Sequence, residues 1–137
     1  RFAGRRMPPP IQKSVTKMEN GLRYNRWAVD MGYPDKIGVC VTHEYGHIIS
    51  DQYFGMINQE MANPNYVGNA RIRRTLDRWS AIWQGAHSAG DIYKISQYGA
   101  TDEREFFAEC FAAREFGEKL PDYIEEFMGE VLKNGIL

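Results

Sequence analysis

The sequence predicts an α+β domain in which a small twisted sheet packs on one helix and a second, glutamate-bearing helix crosses beneath it. Three observations predict this. An Asn20-Gly21 hairpin signal separates two apolar runs, helical spacing runs through residues 36–53, and a capped helical pattern begins at Thr101.

Taken in order, residues 1–10 are basic and end in three prolines, which favours an extended lead-in. Strands are expected over 11–18 and 22–31, then a turn over 31–35 marked by Gly32 and Pro34. The first helix covers 36–53, where Ile37, Val41 and Ile48 recur at helical spacing, and Gly55 lies near its stop. Residues 56–68 read as loop. A second helix over 69–84 carries Ile72, Leu76, Trp79 and Trp83 as a core-facing stripe. The stretch 85–99 reads equally as strand or short helix. A third helix over 101–116 takes Thr101 as N-cap, with Asp102 and Glu103 in its first turn, and stops at Gly117. The last helix spans 121–133.

At 137 residues, with 43% hydrophobic and 13% aromatic residues, the chain is expected to form a single domain, 1–137, with one core. It begins at Arg1 without a methionine, so a piece of a longer protein is expected. A net charge of −1 argues against a general nucleic-acid binder. Charge is uneven: eight Lys/Arg against three acids in the first forty residues, and ten acids against four bases from Asp102 onward. Two solvated faces of opposite sign account for that. No run reaches the ~18 apolar residues of a membrane span, so no membrane partner is expected. Cys40 and Cys110 make no CxxC pair and no disulfide framework; two buried thiols are expected, with one bridge between them as the alternative.

The chemistry concentrates in His43-Glu44-Tyr45-Gly46-His47, an HExxH motif. Residues four apart on a helix share a face, so both imidazoles can grip one zinc ion, bound at ~2.0–2.1 Å. Glu44, one position on, suits a general base toward a zinc-bound water. Two of the three histidines in the chain fall in this motif, which separates it from a chance occurrence. A catalytic zinc needs a third protein ligand. Ser50 and Tyr53 stand where a metzincin has Gly and His, which excludes that class. His87 lacks any motif and reads as an ordinary histidine. Glu105 and Glu109 lie i, i+4 on the third helix beside Phe106, Phe107, Cys110 and Phe111. One acid on zinc and the other on a ligand's second N–H makes sense of that face; a plain amphipathic helix is the duller alternative.

HEYGH followed by Tyr-x6-Glu-Phe-Phe-Ala-Glu resembles the catalytic domain of anthrax lethal factor and its relatives, including the Pro-Pro endopeptidases. The resemblance spans roughly 39–116 and is specific at its two ends. It implies a zincin-like gluzincin fold, Glu105 as third zinc ligand, Tyr98 as transition-state stabiliser, and Glu109 behind the ligands. Thermolysin-like gluzincins also carry Asp four residues after the second histidine, a position that Asp51 fills. The implied activity is a zinc endopeptidase acting on a protein or peptide substrate through one Zn2+ per chain. An extended substrate is expected along an edge strand, with 22–31 the candidate. Relatives occur as toxin domains, secreted peptidases and phage-associated proteins. The rival reading is a catalytically silent zincin-fold binding or assembly module, with Arg71, Arg73, Arg74 and Arg78 as a partner surface.

Overall fold

The computed structural model describes residues 17–19, 22–24, 26–54 and 70–134, with side chains for 26–51 and 72–133. Two strands, β1 (Lys17–Glu19) and β2 (Leu22–Tyr24), pair antiparallel with Met18 opposite Arg23. Five helices follow: α1 (Lys36–Phe54), α2 (Ala70–Ala89), the single turn α3 (Ile92–Ile95), α4 (Glu103–Glu115) and α5 (Asp122–Asn134). Short 3-10 turns occupy Val29–Gly32 and Tyr98–Ala100.

The expected α+β class is therefore corrected: the described residues are mainly α, and no twisted sheet packs on the HExxH helix among them. The two expected strands do pair, but their ladder is three residues long on each side, and Asn20-Gly21 itself lies outside the described residues. Two strands of this length fall short of the expected twisted sheet. Of the expected strand 11–18, residues 11–16 lie outside the described residues. The expected edge strand 22–31 ends at Tyr24 for a physical reason. From Arg26 onward the backbone's polar groups go elsewhere: the carbonyls of Arg26 and Trp27 accept from the N–H groups of Gln97 and Tyr98 (2.9 and 2.7 Å). Arg26 itself is buried, its guanidinium bidentate on Glu118 (2.8 and 2.7 Å) and its Nε donating to the Ile95 carbonyl. A strand would carry this charge on one face of a ladder, not sunk between helices.

Helix α1 starts where Asp35 accepts the Gly38 N–H (2.9 Å), an N-terminal cap. The buried face of α1 differs from the expected one. Ile37, Val41, Tyr45 and Ile48 are exposed, while Val39, His43, Gly46, His47, Ile49 and Ser50 face inward. Gly46 explains the choice. A Cβ there would sit 3.0 Å from the Ala108 Cα and 3.2 Å from the Phe111 Cβ, so α1 and α4 meet backbone to backbone at this point.

Helix α4 is capped by Asp102, not Thr101: Asp102 is extended (φ −165°) and its carboxylate accepts the Glu105 N–H at 2.8 Å. The helix stops as expected at Gly117, in the left-handed region (φ +88°), with Glu118 N–H bonded to Ala113 O. Helix α2 runs beyond the expected end to Ala89 and stops before Gly90 (φ +77°). Its Trp79 is the centre of the core, stacked on Phe106 (5.4 Å) and against Phe107 and Phe127. The Trp79 indole N–H also reaches the Glu103 carbonyl (2.8 Å), fastening α2 to the first turn of α4. No described helix is long and apolar enough to cross a membrane.

Candidate metal centre

Helices α1 and α4 bring three of the sequence-predicted residues together. His43 Nε2 lies 3.0 Å from Glu105 Oε1, His47 Nε2 lies 3.1 Å from the same oxygen, and the two imidazole nitrogens are 3.1 Å apart. Both histidines are buried and Glu105 is partly so. A tetrahedral ion with bonds of ~2.0–2.1 Å has ligand–ligand edges of about 3.3 Å, so this triangle has nearly the right size.

Glu109 decides what the triangle holds. It is fully buried, its Oε1 accepts the Val29 N–H (3.0 Å), and its Oε2 lies 2.8 Å from His43 Nδ1. A carboxylate accepts, so the proton of a neutral His43 sits on Nδ1 and the Nε2 lone pair points into the triangle. Glu105 also presents a lone pair there. A single N–H on His47 can satisfy one edge only, whereas a cation satisfies all three. The donor set, two imidazoles and one carboxylate, fits zinc. Burial opposes the charge on Glu105, yet the imidazoles of His43 and His47 set against it prevail and hold its carboxyl well below the usual range.

The other expected residues fall as follows. Glu44 is half-buried on α1, next in sequence to His43. Tyr98, in the 3-10 turn before α4, has its ring centroid 6.0 Å from that of His43. Asp51 faces Arg104 (Oδ1 to Nε 3.6 Å), while His47 Nδ1 has no hydrogen-bond partner among the described residues. His87 is exposed on α2 with its ring edge against Trp83, far from a ligand's role. The Cys40 thiol donates to buried Asp30 (2.8 Å), and burial pushes the Cys110 thiol up, helped by Glu109 and Glu118. Both cysteines are free.

Sequence reasoning missed the crossbar formed by residues 26–29. Arg26 ties to Ile95 and Glu118, Trp27 to Tyr98, and Val29 to Glu109, so one short segment braces both sides of the centre. Tyr33 adds its hydroxyl to Glu118 (2.5 Å). Nothing in the residues 22–31, read as an alternating strand, signals that Arg26 is buried.

Comparison of the chain with protein-family models, curated proteins and solved structures finds no match. The reading of the centre rests on its own geometry. A cleft of about 500 Å³ lies between α2 and the start of α4, lined by residues that include Arg73, Asp77, Ser80, Trp83 and Arg104 and by none of His43, His47 or Glu105.

Proposed function

We propose that the chain is a zinc-dependent endopeptidase, with His43, His47 and Glu105 holding the ion and Glu44 serving as general base. The observation that carries this reading is the convergence of three lone-pair donors on one point, with the His43 tautomer fixed by buried Glu109. A zinc ion bound there supplies Lewis acidity toward a scissile carbonyl and acidifies a water. Glu44 takes the proton of the attacking water as the C–O bond forms, then passes it to the amine nitrogen as the C–N bond of the tetrahedral adduct breaks. The Tyr98 hydroxyl donates to the carbonyl oxygen as that oxygen gains charge. The likeness of HEYGH and Tyr-x6-Glu-x3-Glu to the lethal factor family supports the same roles.

A second reading, a catalytically silent binding module, is favoured by one feature. Ile37, Val41, Tyr45 and Ile48 form an exposed apolar stripe along α1, from 50 to 69% accessible.

The deciding experiment measures zinc content and cleavage of a proteome-derived peptide library, read by mass spectrometry, for wild type, Glu44→Gln and Glu105→Ala. We expect one zinc per chain in wild type, retained in Glu44→Gln and weakened in Glu105→Ala, with cleavage by wild type alone. A wild type that takes up no zinc on reconstitution sinks both readings. Zinc uptake without any cleavage favours the binding module.

A further inference from the structure

We infer that Trp27 is the positioning residue for Tyr98, an inference that rests on the peptidase reading for its kinetic consequence only. The turn that carries Tyr98 spans Tyr98–Ala100 and has no long helix or strand to hold it. Its rigidity comes from outside. The Tyr98 N–H donates to the Trp27 carbonyl at 2.7 Å, the shortest of the backbone bonds made by this turn, and the two rings lie 5.8 Å apart at 45°. On the far side of the turn, the Trp83 indole donates to the Gly99 carbonyl (3.1 Å), and Ser96 Oγ accepts the Gly99 N–H. A Cβ at Gly99 would come 2.8 Å from Phe106, so the turn is pressed against α4 as well.

The Trp27 side of the phenol ring sets its angle. Tyr98 has the Trp27 ring at 5.8 Å and the His43 ring at 6.0 Å, so the indole limits how the phenol rotates beside the histidine. The Trp27 indole N–H is buried and has no hydrogen-bond acceptor among the described residues. The ring therefore works by shape, not by donating, and an aromatic ring without the N–H should serve as well. A hydroxyl donor displaced by about 1 Å loses on the order of a hundredfold in rate, which makes such a wall worth having.

The test uses 3-fluorotyrosine incorporated into the whole chain, with the Tyr98 resonance assigned by its loss in Tyr98→Phe. Trp27→Ala should shift and broaden that resonance alone, with zinc content unchanged, and Trp27→Phe should restore it. In cleavage of the library peptide cut fastest, Trp27→Ala should lower kcat about tenfold with KM unchanged. That loss should vanish in the Tyr98→Phe background, because a residue acting only through Tyr98 has nothing left to act on. Should Trp27→Ala not fold, Trp27→Leu keeps bulk without an aromatic face and takes its place.

An unmoved Tyr98 resonance overturns the inference, as does a Trp27→Phe variant no better than Trp27→Ala. So does a loss that adds in full to that of Tyr98→Phe. If wild type cleaves nothing, the peptidase reading fails, and the fluorine spectrum still decides whether Trp27 holds Tyr98.

Discussion

Glu109 Oε2 lies 2.8 Å from His43 Nδ1, with both side chains wholly buried, and the same carboxylate takes the Val29 N–H with its other oxygen. One acid thus orients His43, the proposed metal ligand, and pins the segment that crosses behind it. Glu109→Ala should lower zinc affinity 10- to 100-fold, the usual cost of removing such a partner. Glu109→Gln keeps an acceptor for one of the two donors and should lose less. Competition against a zinc chelator measures both; equal affinities across the three proteins would remove Glu109 from the site.

Glu105 stays ionised well below the usual carboxylate range, because the adjacent imidazoles of His43 and His47 outweigh the cost of burial. A depressed carboxyl needs no proton displaced when metal binds. Acid should therefore release zinc by protonating ligands other than this carboxylate. Zinc affinity should fall as pH falls, and proton uptake on release, measured by calorimetry in buffers of different ionisation heat, should not exceed two groups. Uptake by a third group would show Glu105 protonated on release.

Gly46→Ala should destabilise the protein, although alanine is the better helix former by ~1 kcal/mol. The new methyl meets the Ala108 Cα, a backbone atom that can retreat only by moving α4. Crowding of this kind costs ~1–3 kcal/mol and outweighs the propensity gain. The same shift parts His43 and His47 from Glu105, so urea denaturation and zinc titration should worsen together. A more stable Gly46→Ala variant would contradict the close approach of α1 and α4.

Arg26→Met should cost ~3–5 kcal/mol, since it strands the Glu118 carboxylate in the interior. Adding Glu118→Leu should return much of that loss, because an apolar pair of similar size often does as well as a buried ion pair. Chemical denaturation of the two single variants and the double one gives the coupling directly. Full additivity would mean that the pair is incidental.

The long helices were legible because they announce themselves locally, whereas the single turn α3 lies in a stretch that reads equally as strand or short helix. Asp35 and Gly117 mark ends by their own backbone preferences, and Trp79 recurs with Ile72 and Leu76 at core spacing. His43, His47, Glu105 and Glu109 were legible for the same reason, since i, i+4 spacing fixes a shared face. What escaped the sequence depends on partners distant along the chain. Arg26 lies 92 residues from Glu118, and its burial reverses the strand reading of its neighbourhood. Ile37, Val41 and Ile48 have the right spacing for a core face, but α1 turns Gly46 inward because only a glycine permits the contact with α4.

The distance along the chain between the ligands has a consequence for the fold itself. His43 and Glu105 are 62 residues apart, so an ion gripped by both closes a loop through α2 and α3. By the entropy that governs cross-links, closing a loop of that length removes roughly 4 kcal/mol of freedom from the unfolded chain. The metal would then be a fastener as well as a reagent, and its loss would loosen the whole helical assembly, not the reaction centre alone.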